Sequence, residues 1–198
     1  MTPRFLALGD SYTIGEQVDT AERWPVQLAR MLRERRIDMA DAEIVARTGW
    51  TTDELTAGIA VAAPAGPYDL VSLLIGVNDQ FRGRSPGQYR EELRSLLVQA
   101  VGFAVRPGRV VMLSIPDWGV TPFAAGRDRA GIGAEIDRFN LVGREEAQRA
   151  RARFVDVTPA SRESHEDWLA ADRLHPSGRQ YTRWAELTLG AAAAALEG

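Results

Sequence analysis

Arg4-Phe5-Leu6-Ala7-Leu8-Gly9-Asp10-Ser11-Tyr12 is a short apolar run that ends in a tight polar turn. The run suits one strand, and it lacks the apolar/polar alternation of a strand wetted on one face. Similar runs follow at residues 43–46, 69–75, 109–115 and 154–157. Stretches with helical spacing separate them, at 22–36, 52–62, 86–105, 132–151 and 179–196. Repeated βα units of this size predict an α/β fold, a doubly wound three-layer α/β/α sandwich around a parallel sheet of five strands.

Local signals place several helix starts. Ser85-Pro86-Gly87-Gln88 combines an N-cap serine, a first-turn proline and a capping-box glutamine. Thr51 with Glu54 reads as a second capping box, and Ser177 with Gln180 as a third. The segment from Pro116 to Gly126 follows the fourth run without helical period. As a loop at the carboxyl end of a parallel strand it should overhang the place where such sheets bind ligands. The alanines at 191–195 read as the small-residue face of the last helix, and no repeat or linker breaks the chain.

The totals fit one domain over residues 1–198: 45% of the residues are hydrophobic and 26% charged. A net charge of −3 gives no basic footprint for nucleic acid, and every basic residue is arginine. The chain has no cysteine, which excludes a thiolate nucleophile, a disulfide scaffold and a cysteine-held zinc. The start reaches its first turn too soon for a secretory leader, and no apolar run approaches the ~20 residues of a membrane span. The expectation is a soluble cytoplasmic protein without membrane insertion and without a nucleic-acid partner.

A serine on the first turn after a strand exposes its hydroxyl at the sheet edge, although a lone Gly9-Asp10-Ser11 is more often a simple cap. A serine nucleophile needs a base, and the chain has two histidines. His165 lies in the charged stretch Glu163-Ser164-His165-Glu166-Asp167 and reads as solvated. His175 lies in Asp172-Arg173-Leu174-His175-Pro176. There a carboxylate three residues earlier can reach back to Nδ1–H and leave Nε2 free to accept a proton. The same pair could merely cap a turn. Oxyanion donors could come from Thr48-Gly49-Trp50 and Gly76-Val77-Asn78-Asp79, both at strand ends, although glycine and asparagine are also ordinary turn residues.

Taken in order, each at the end of a successive strand and closed by the Asp–His turn, these segments resemble the SGNH hydrolases, the GDSL family of esterases and lipases. The resemblance spans most of the chain and implies a flavodoxin-like fold and a serine esterase or thioesterase acting through an acyl-serine. It implies Ser11 as nucleophile, with His175 and Asp172 completing the triad. The Ser11 and Gly49 amides and the Asn78 side chain would form the oxyanion hole. Asp10 and Asp79 would hold turns rather than react. Tyr12 stands where the family name has leucine, a change of pocket lining rather than mechanism.

Gly83-Arg84-Ser85-Pro86-Gly87 spells the G-x-S-x-G elbow of another hydrolase fold. Pro86 lacks the N–H that this elbow supplies to the oxyanion, so Ser85 reads as a helix cap. An acyltransferase using the same triad would look identical in sequence. A flavodoxin-like binding module is disfavoured, because no glycine-rich phosphate loop and no lysine occur. No metal or cofactor is expected. The substrate is expected to be a small ester, with Tyr12, Trp50, Phe81, Trp118 and Phe123 as candidate pocket walls.

The two histidines make the base assignment testable in two variants. His165→Ala should keep turnover of a p-nitrophenyl ester, and His175→Ala should lose roughly 10³-fold or more. An inactive His165→Ala would overturn the assignment.

Overall fold

Burial on both faces is the reason the middle strands carry no alternation. In the computed structural model, which describes residues 2–163 and 167–197, the sheet runs in the order β2-β1-β3-β4-β5, all parallel. The strands are β1 (Phe5–Gly9), β2 (Glu43–Ala46), β3 (Leu70–Leu74), β4 (Val110–Leu113) and β5 (Arg153–Val155). Every residue of β1, β3 and β4 is buried, whereas the edge strands β2 and β5 are partly exposed. The order reverses direction beside β1, so the carboxyl ends of β1 and β3 flank the crevice where such sheets place their sites.

The helices are α1 (Ser11–Ile14), α2 (Trp24–Glu34), α3 (Thr52–Ala62), α4 (Val77–Phe81), α5 (Pro86–Phe103), α6 (Arg129–Arg149), α7 (Thr158–Arg162) and α8 (Gly178–Glu197). α2 packs on α8 over one face of the sheet, and α3, α5 and α6 form the layer over the other. Trp24 and Trp184, both fully buried, fill the first of these layers. Tyr89 and Phe139 stack across α5 and α6 in the second, with ring centres 4.9 Å apart. None of the described helices is long and apolar enough to cross a membrane.

The sequence places each strand and long helix, but several ends differ for local reasons. β5 stops at Val155 rather than 157, because the Val157 and Thr158 amides both turn to donate to Ser114 Oγ, at 2.8 and 3.1 Å. The second helix begins at Trp24 rather than residue 22, since Thr20–Glu22 winds as a 3₁₀ turn and Pro25 takes the first helical turn. Residues 104 and 105 leave α5 to pair with Tyr68, whose carbonyl accepts from Val105 N–H at 3.0 Å. The capping boxes at Thr51/Glu54 and Ser85/Gln88 are both present. The one expected at Ser177/Gln180 is not. Ser177 N–H donates to the Trp168 carbonyl at 2.9 Å, so no donor remains there for the Gln180 side chain. Only the weaker half survives, Gln180 N–H to Ser177 Oγ at 3.4 Å. The overhanging segment from Pro116 holds two short 3₁₀ turns, Trp118–Val120 and Pro122–Ala124, in place of an irregular loop.

Candidate active site

Ser11 is the first residue of α1, one turn beyond β1. The approach is tight: a Cβ on Gly9 would stand 2.2 Å from Thr13 Oγ1 and 2.5 Å from the Leu74 carbonyl oxygen. Only glycine lets the turn settle against β3 at this point. Asp10 caps α1, with Oδ1 accepting the Tyr12 N–H at 3.0 Å. The Ser11 amide is not among the backbone donors used in the turn and stays available.

The turns after the next two strands carry Gly49 and Asn78. Gly49, after β2, has φ +85°, and its carbonyl accepts from Arg82 Nη2 at 2.7 Å, which pins the turn from outside. Gly76, after β3, has φ +123°, and a Cβ there would press on the Tyr89 ring at 2.7 Å. This turn starts α4 and carries Asn78, whose Nδ2 donates one hydrogen to the Trp50 carbonyl at 2.9 Å and keeps the other. Beneath it, buried Asp79 accepts from both Thr52 N–H and Thr52 Oγ1 at 3.0 Å and pairs with Arg84 at 3.2 Å. These bonds lock α4 to the start of α3, so Asn78 and Gly49 keep a fixed separation.

The third part is the turn before α8. Asp172 Oδ2 meets His175 Nδ1 at 2.5 Å, while Oδ1 accepts the Leu174 and His175 amides, each at 3.0 Å. Arg173, with φ +59°, supplies the left-handed kink that folds the carboxylate back on its own chain. Burial acts to raise the Asp172 pKa, but the bonds from His175 and the two amides prevail and hold it below the usual carboxylate value. An ionised acceptor at Nδ1 favours the tautomer with Nε2 unprotonated. The Tyr12 ring meets the imidazole edge-on at 5.7 Å and backs it from the core side.

Ser11, Gly49, Asn78 and His175 face one cleft of about 190 Å³, walled by Tyr12, Phe81, Trp118 and Phe123. Trp118 is held by its Nε1–H bond to Gln80 Oε1 at 2.8 Å. Ser11 and His175 line the same cleft. A larger groove of about 570 Å³ along β2 and α3 contains none of these groups, so chemistry rather than size singles out the cleft.

One expected wall is elsewhere. The Trp50 ring lines that β2–α3 groove, lying over Gly58, where a Cβ would come within 2.1 Å of it. Its carbonyl, not its indole, serves the site. Ser85 is a cap, its Oγ accepting the Gln88 N–H at 3.2 Å. His165 lies outside the described residues. Asp53, Asp79 and Glu92 converge, and Arg84 donates to all three, so a guanidinium already supplies the cation there. Arg82 reaches Glu54 and the Gly49 carbonyl, 28 and 33 residues back, so no local pattern in the sequence announces it.

The sequence profile of the GDSL-like lipase/acylhydrolase family matches residues 7–183. No curated protein matches this chain by sequence. Among solved structures, TesA superposes with a TM-score of 0.76 at 22% identity, covering 98% of this chain and 99% of that one. Axe2, an acetylxylan esterase from Geobacillus stearothermophilus, gives 0.74 at 19% identity, with 96% and 94% covered. A lipase/acylhydrolase from Enterococcus faecalis gives 0.72 at 19%, with 95% and 94% covered.

Asp10 adds a pH dependence to the fold. Its Oδ2 is buried without a partner, and burial pushes its pKa up to about 8, with Asp79 adding to the rise and the Tyr12 amide opposing it. The folded chain thus keeps a proton that the unfolded chain releases near 3.8, and stability falls as pH rises between those values. Asp10→Asn has no such proton to lose. Its thermal midpoint should gain on the wild type as pH increases from 5 to 8, and parallel curves would show that Asp10 is ionised in the native state.

Proposed function

The chain belongs to the GDSL-like lipase/acylhydrolase family, and on that premise we propose that Ser11, His175 and Asp172 form the catalytic triad of an ester hydrolase whose oxyanion hole is Ser11 N–H, Gly49 N–H and Asn78 Nδ2. The observation that carries this reading is the Asp172–His175 contact of 2.5 Å, with the imidazole facing the cleft that also holds Ser11, Gly49 and Asn78.

Each group has a part in the chemistry. As Ser11 Oγ attacks the ester carbonyl, His175 Nε2 takes its proton and becomes an imidazolium stabilised by ionised Asp172. The carbonyl oxygen gains a full negative charge and meets two amide N–H groups and the free hydrogen of Asn78, which is already aimed by its bond to Trp50. Collapse of the tetrahedral adduct breaks the ester C–O bond, and the imidazolium hands its proton to the departing alkoxide. Water then repeats the sequence on the acyl-serine, with His175 again as base, and restores the free hydroxyl.

The cleft limits the substrate. A volume near 190 Å³ with mostly aromatic and aliphatic walls suits a short acyl group rather than a long lipid chain. A series of p-nitrophenyl esters should peak at short acyl length.

Ser11→Ala should fold normally and lose roughly 10³–10⁶ in kcat, because the triad acts as a unit. An organophosphonate should label Ser11 alone, read by peptide mass. Labelling at Ser85, or near-normal turnover in the alanine variant, would overturn the assignment. In the same assay Asn78→Ala should lower kcat by about 10²–10³ with KM little changed, since the amide meets full charge only in the tetrahedral state. A loss confined to KM would make Asn78 a ground-state binding group.

A further inference from the structure

The cleft has an aromatic rim with a guanidinium laid over it. The ring centres of Phe81 and Trp118 are 5.4 Å apart, those of Trp118 and Phe123 6.0 Å, and those of Phe81 and Phe123 6.3 Å. Arg127 Cζ stands 5.3, 5.4 and 5.5 Å from the centroids of Phe81, Trp118 and Phe123. A short turn holds it there: Gly126 has φ +76°, and the Arg127 amide donates to the Ala124 carbonyl at 3.1 Å.

Cation–π attraction holds a guanidinium against aromatic rings without using its N–H groups as hydrogen-bond donors to a carboxylate. The neighbouring arginines are differently engaged. Arg82 is committed to Glu54 and the Gly49 carbonyl, Arg84 to three carboxylates, and Arg129 to the Thr121 carbonyl. No carboxylate pairs with Arg127 among the described residues, and none lines the cleft. A cleft near 190 Å³ encloses only the part of a substrate around its scissile carbonyl. The remainder must run out over its walls, and on this side the wall ends in an unpaired cation held close to three rings.

We propose that Arg127 determines specificity by selecting esters that carry a carboxylate a few bonds from the scissile carbonyl. The Phe81, Trp118 and Phe123 rings cover the carbons between. The fork of guanidinium N–H groups matches a carboxylate in two parallel bonds, and prior contact with the rings reduces the side-chain freedom lost on binding. The proposal rests on reading the cleft as the ester-hydrolysing site.

The test compares matched esters on the purified full chain. In one pair, p-nitrophenyl hexanoate and mono-p-nitrophenyl adipate, the charge is on the acyl chain. In the other, phenyl acetate and 3-acetoxybenzoate, it is on the departing alcohol. The wild type should favour the charged member of one pair through a lower KM, and added salt should erode the preference because the rim is wet. Arg127→Gln should reduce the charged-over-neutral ratio of kcat/KM about tenfold in that pair, and Arg127→Lys should retain part of it. The responding pair reports which side of the ester carries the anion. Ratios unmoved in both pairs, with neutral esters still cleaved, overturn this proposal alone. A wild type that cleaves none of the esters and takes no phosphonate at Ser11 overturns the hydrolase reading and this proposal together.

Discussion

Parallel pairing of β1 with β3, from Phe5 opposite Leu70 to Gly9 opposite Leu74, is the constraint on which the site depends. Because every strand runs the same way, each turn that follows a strand emerges at one edge of the sheet. The strand order places β2 and β3 on either side of β1, so the turns bearing Gly49 and Asn78 flank the one bearing Ser11. A register shift of one residue would move these turns relative to each other by about 3.3 Å, more than the length of a hydrogen bond. The absence of a side chain on Gly9 permits the register, since any Cβ there would meet the Leu74 carbonyl.

Buried polar groups secure what the sheet brings together. Asp79 joins the start of α3 to α4 through Thr52, and burial raises its pKa to about 6 even though those bonds and Arg84 oppose the rise. Asp10 holds the turn that bears Ser11 through the Tyr12 amide. The charge on Asp79 raises Asp10 further, so the core favours Asp10 in its neutral form. Asp79 is bonded at both carboxylate oxygens, whereas Asp10 leaves Oδ2 without a partner, a cost carried in the core next to the turn that bears Ser11.

The two sides of the cleft are built on different logic. The hydrolytic side rests on short, mutually fixed backbone turns, in which Gly49, Gly76 and the Arg173 kink adopt conformations that few residues take readily. The outer side rests on side chains, where Trp118 is tied to Gln80 while Phe81 and Phe123 stay half exposed. Chemistry needs the first to be rigid, whereas selectivity needs only that the second present the right surface.

The sequence by itself determined the layer architecture and the order of elements, and it singled out the residues proposed to hydrolyse an ester. These are local properties: unalternated apolar runs, capping residues, turn glycines, and an Asp–His pair close enough in sequence to bond within one turn. It also identified Ser85 as a cap, because a missing proline N–H is a covalent fact. Tertiary structure decided where long side chains lie. Trp50, next to an oxyanion glycine, sends its ring into a different groove because Gly58 leaves a flat seat for it. Gln180 lost its capping partner because the Ser177 amide turned to a carbonyl nine residues back. Arg82 acquired its place from Glu54 and the Gly49 carbonyl, groups brought close only by packing, and a flexible charged side chain carries no periodic trace of the partner it will meet.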